Sequence, residues 1–121
     1  MARSRVFIVD EHETVRLALA DRLGRAADLK VIGHTGNADQ AVTEVRQERP
    51  DVVLIEVKRS DGLGLEILRQ VAELANPPRV LVLTSYPSAW EEQAAVRAGA
   101  DSYLLKDIDS EDLIRRIVEI A

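Results

Sequence analysis

The chain has 121 residues, 46% of them hydrophobic, which suits one domain with a proper core and leaves no room for a second. A net charge of −5 argues against this segment gripping nucleic acid by itself, since phosphate contacts need clustered Lys and Arg. The absence of cysteine excludes a disulfide framework and thiolate chemistry, and no apolar run approaches the ~18 residues of a membrane span. Met1 to Arg5 is short and runs straight into a strand, which argues against a signal peptide and for a cytoplasmic protein.

In chain order, Arg5–Val9 is an apolar run ending in acids. From Thr14 to Ala26, Val15, Leu19 and Leu23 recur at four-residue spacing, one face of a helix. Lys30–Gly33 reads as a short strand. Asn37 with Gln40 forms a capping box, opening a helix that stops before Pro50. Asp51–Ile55 is a strand leading to Glu56, followed by a loop in which Gly62 and Gly64 serve a turn. The next helix turns Leu65, Leu68 and Val71 inward and breaks at Asn76-Pro77-Pro78. Val80–Leu83 is a strand. Ser88 and Glu91 form a second capping box, for a helix that closes near Gly99. Ser102–Leu105 is the last strand. Ser110 starts the last helix, whose buried face is Leu113, Ile114, Ile117 and Ala121.

This alternation makes five βα units with strands roughly 20–28 residues apart. Strands so uniformly apolar are buried on both faces, so the expected fold is α/β: a flavodoxin-like, doubly wound parallel sheet of order 2-1-3-4-5 forming a single domain over residues 1–121.

In such sheets ligands sit beyond the carboxyl ends of the strands. Those ends carry Asp10-Glu11, Glu56, Thr84-Ser85 and Lys106. Each residue alone has an ordinary reading as a cap, a strand residue or a surface charge; together they define one edge. Like charges about 4 Å apart cost on the order of 4 kcal/mol at an effective dielectric near 20. A lysine offsets part of this, and a divalent cation or a proton would relieve the rest. Hard oxygen ligands suit Mg²⁺, and a carboxylate, a hydroxyl and a lysine beside it suit phosphoryl transfer to the carboxylate. His12 and His34 lack metal-ligand spacing and read as loop or surface residues. Trp90 is read equally as a packing residue or as part of a partner face, and Arg115-Arg116 as a solvated face.

The segments around Asp10-Glu11-His12-Glu13, Pro50–Glu56, Leu83-Thr84-Ser85-Tyr86 and Gly99–Asp107 resemble the receiver domain of two-component response regulators over essentially the whole chain. The Lys106-Asp107 pair is similar to the NarL/FixJ class, including its DosR-like members. The resemblance implies that Asp10 and Glu11 bind a cation together with position 56 and the backbone carbonyl of Lys58. It places the phosphoacceptor at position 56, Thr84 and Lys106 on the phosphoryl group, and Thr84 with Tyr103 in a switch pair coupled to the face of the fourth helix, fifth strand and fifth helix. It implies a signalling module rather than an enzyme, a homodimer, a histidine kinase as donor, and DNA contact only through an output domain absent from this chain.

The sequence departs from that pattern. Position 56 holds Glu instead of Asp, Ser60 stands where the family usually has proline, Leu63 where it often has an acid or Asn, and Glu11 replaces an aspartate. The extra methylene moves the carboxylate outward by up to ~1.5 Å, and a displacement of ~1 Å can cost ~100-fold in an in-line reaction. Phosphate-independent signalling is therefore expected, with Mg²⁺ held weakly or not at all and Glu56 reaching toward Lys106 or Thr84 as a mimic of phosphoaspartate. A natural departure and an engineered Asp-to-Glu change both give this sequence. A stand-alone pseudo-receiver working through protein contacts is the alternative. A flavodoxin-like enzyme or nucleotide binder is disfavoured because Asp10-Glu11 stands where a glycine-rich phosphate loop would lie.

Overall fold

The computed structural model describes residues 3–121. Met1 and Ala2, the start of the stretch read above as running into the first strand, lie outside the described residues. The elements are β1 (Ser4–Val9), α1 (Glu13–Gly24), β2 (Leu29–Thr35), α2 (Ala38–Glu48), β3 (Val52–Ile55), α3 (Gly64–Ala72), β4 (Arg79–Thr84), α4 (Ala89–Ala98), β5 (Ser102–Leu105) and α5 (Ser110–Ile120). All strand pairs are parallel and the sheet order is β2-β1-β3-β4-β5, the flavodoxin-like topology expected from the sequence.

Because side chains alternate across a strand, each central strand feeds two cores. Phe7, Val9, Val53, Ile55, Val80 and Val82 face α2, α3 and α4 through Ala41, Val45, Leu68 and Ala95. Val6, Ile8, Val52, Leu54, Leu81 and Leu83 face α1 and α5 through Leu19, Leu23, Leu113 and Ile117. At roughly 25 cal/mol per Å² of apolar surface, this two-sided burial is the main term holding the sheet and helices together.

Several boundaries follow from capping. The Asn37 side chain accepts from the Asp39 and Gln40 amides at 2.8 and 3.3 Å, and Arg49 closes α2 in the left-handed region before Pro50. Gly99, at φ 119°, closes α4. Gly64 opens α3 against the backbone of Val57, where a Cβ would lie 1.8 Å from the Val57 carbonyl oxygen.

Five local expectations are corrected. Val15 is 39% exposed and lines the cleft at the sheet edge, so only Leu19 and Leu23 carry the α1 stripe into the core. β2 extends to Thr35, whose carbonyl bonds the Asp10 amide. The cap of α5 is Asp109, which accepts from Glu111 N, while Ser110 is already helical. Ala121 is exposed and Ile120 packs on the core instead. Ile67, absent from the predicted face of α3, is buried in it.

Candidate functional site

The parallel ladder brings three strand ends to one edge, where the sheet reverses its order between β1 and β3. Asp10 follows β1 and is 2% exposed. Its Oδ1 accepts from the His12 amide at 2.9 Å, with His12 Nδ1 at 3.3 Å, and its Oδ2 accepts from Lys106 Nζ at 2.7 Å. Glu56 continues β3, its amide bonded to Val9 O at 3.0 Å, and is 4% exposed. Its Oε2 accepts from the Lys58 amide at 3.1 Å, and its Oε1 lies 3.2 Å from Lys106 Nζ. Lys106 is fixed at its root by an amide bond to Thr84 O at 2.9 Å. The ammonium therefore reaches over β4 and bridges the carboxylates of β1 and β3.

The remaining expected residues are engaged in other contacts. Glu11 turns to the β3–α3 loop, where Ser60 N donates to Oε1 at 2.7 Å and Ser60 Oγ to Oε2 at 2.8 Å. These two bonds, the hydroxyl first, hold the Glu11 carboxyl below its ordinary pKa. Thr84 is fully buried and its hydroxyl accepts from Tyr86 N at 3.2 Å. Tyr103 donates its hydroxyl to Glu91 Oε1 at 2.7 Å and accepts from Ser88 N at 3.3 Å. Lys58 Nζ meets Glu91 Oε2 at 2.7 Å.

Glu91 is the functional-looking residue that sequence reasoning misassigned. As the fourth member of a Ser-x-x-Glu box it should reach back to the helix start. Ser88 Oγ does accept from the Glu91 amide at 3.0 Å, but the Glu91 side chain, 6% exposed, joins Lys58 and Tyr103 instead. Burial, and then the bond to Glu91, push the Tyr103 hydroxyl up to about 12. Of the histidines, His12 precedes α1 beside Asp10, and His34 Nδ1 accepts from Arg16 Nε at 3.1 Å; both sit at loop or strand-end positions.

An open cleft of about 590 Å³ leads to this edge, lined among others by Glu11, His12, Glu56, Lys58, Tyr86 and Lys106. Its chemistry is that of a carboxylate, Glu56, beside a fixed ammonium. It does not fit a divalent cation as it stands. Both carboxylate oxygens of Asp10, Glu11 and Glu56 already have a protein N–H or O–H partner. Among the described residues no group of three or more His, Cys, Asp or Glu is gathered in a way that could hold a metal ion.

Residues 6–118 match the family model described as the response regulator receiver domain, and the chain belongs to that family. It is 39% identical over 116 residues to the DNA-binding transcriptional activator DevR/DosR of Mycobacterium tuberculosis, covering 96% of this chain and 54% of that protein. It is 31% identical over 109 residues to the response regulator protein VraR of Staphylococcus aureus, covering 90% of this chain and 52% of that one. Among solved structures, a LuxR-family two-component response regulator from Aurantimonas sp. SI85-9A1 superposes with a TM-score of 0.89 at 25% identity, over 98% of this chain and 85% of that one. The chain thus spans about half the length of the curated relatives it matches. Among the described residues no helix is long and apolar enough to cross a membrane.

Proposed function

We propose that this is the receiver module of a transcription-regulating response regulator that signals without phosphate, with Glu56 in the phosphoacceptor position. The observation that carries the reading is the Lys106 ammonium, 2.7 Å from Asp10 and 3.2 Å from Glu56. A lysine at this place would otherwise neutralise an incoming phosphoryl group; here the longer carboxylate of Glu56 reaches it unaided and takes the place of that charge. Two relatives named as a transcriptional activator and a response regulator, each about twice as long as this chain, support an output domain beyond the receiver. In this reading DNA is reached only through that output domain, dimerisation of the receiver sets output, and a histidine kinase has little purchase on Glu56.

Incubation with acetyl phosphate and Mg²⁺, beside a Glu56→Asp variant, tests this by intact mass. The parent chain is expected to gain no phosphoryl mass and the aspartate variant to gain one. Phosphorylation of the parent overturns the reading.

A further inference from the structure

We propose that the contact between Glu11 and Ser60 is a clasp that occupies both oxygens of the second acid of the β1 end at the wall of the cleft, so that the pocket discriminates against divalent cations by geometry and not only by the change at position 56. Glu11 and Ser60 lie 49 residues apart, yet both carboxylate oxygens are engaged, by the Ser60 amide at 2.7 Å and the hydroxyl at 2.8 Å. Bonds this short to a carboxylate are the stronger, charge-assisted kind. The amide half exists only because residue 60 is not proline, which has no N–H. Two of the departures noted in the sequence, Glu11 and Ser60, are therefore the two halves of one contact. A glutamate reaches the loop, and serine supplies two donors where proline would supply none.

The loop side of the clasp is itself anchored. Arg59, whose side chain is 3% exposed, donates to Gly36 O at 2.9 Å and to both oxygens of Asp61, and Asp61 Oδ1 accepts from Leu63 N at 2.9 Å. Ser60 is thus presented to Glu11 from a braced segment at the wall of the cleft. With both Glu11 oxygens engaged by Ser60, a cation would find only Asp10 and Glu56, with the Lys106 ammonium between them. Mg²⁺ demands near-octahedral oxygen ligation and loses water reluctantly, so two carboxylates already sharing an ammonium are a poor host.

Calorimetric titration with MgCl₂, without any phosphoryl donor, tests the clasp separately from phosphate independence, so either can fail alone. Four proteins are compared: the parent, Ser60→Pro, Glu56→Asp, and the double variant. The parent and Glu56→Asp are expected to bind Mg²⁺ weakly. Ser60→Pro is expected to tighten binding in both backgrounds by about tenfold or more, the range by which outer-shell partners tune metal sites. Equal affinity with and without Ser60→Pro, or a parent that binds as tightly as the variants, overturns the proposal. Should circular dichroism show Ser60→Pro unfolded, Glu11→Asp, whose carboxylate is a methylene too short for the clasp, replaces it. The same tightening is then required.

Discussion

Tyr103 sits half-buried at the end of the sheet with its hydroxyl on a carboxylate, so its neutral form is favoured twice. Its pKa of about 12 lies above the ordinary tyrosine value near 10. A raised pKa means that this contribution to stability is complete below pH ~10 and is lost as pH rises through about 12. In a Tyr86→Phe background, where Tyr103 is the remaining tyrosine, phenolate absorbance should titrate near 12. Glu91→Gln should bring the midpoint down, though not to the free value, because burial remains. An unchanged midpoint would show that Glu91 does not hold the ring. The partners of Glu91 and Glu11 were not legible in the sequence, since they join residues 33 and 49 positions apart and no local period encodes such pairs. Asp10, Glu56 and Lys106 were legible, because each simply ends a recognisable strand run.

At the scale of elements, α3 begins in unusual confinement. Gly64 lies against Val57 so closely that any Cβ meets main chain rather than a yielding side chain. Gly64→Ala should destabilise the chain by about 1–3 kcal/mol, as overpacking does, measured as a shift in urea midpoint. The slope should stay unchanged, since the fold itself is kept. Stability equal to the parent would mean the loop has room to move. Caps explain which ends the sequence revealed. Asn37 and Ser88 each precede an apolar stripe and were visible as N-caps. Asp109 and Ser110 compete as neighbours, both good capping residues, and only the backbone decides between them. Val15 misled for a related reason: a four-residue spacing defines a stripe but not how far along the helix the sheet extends beneath it.

Across the whole molecule, Lys106 links the ends of three strands. It leaves β5, passes β4, and pairs with residues that follow β3 and β1. Removing it by Lys106→Met would leave two buried carboxylates facing one another. The expected loss is about 3–5 kcal/mol, the cost of breaking a buried pair from one side. Equilibrium unfolding at neutral pH measures it, and a loss under about 1 kcal/mol, typical of an exposed pair, would show the bridge to be solvated. The fold as a whole was the easiest part to read, because apolar strands separated by helix-length segments leave few other topologies.

The sole tryptophan adds a practical consequence. Trp90 stands in the first turn of α4, beside Glu91 in sequence, and 69% of its surface meets solvent. Its indole is already in water in the native state, so its emission colour carries little information about whether the two cores are intact. It is instead an optical marker for one seam, the start of α4, where Lys58 and Tyr103 converge on Glu91.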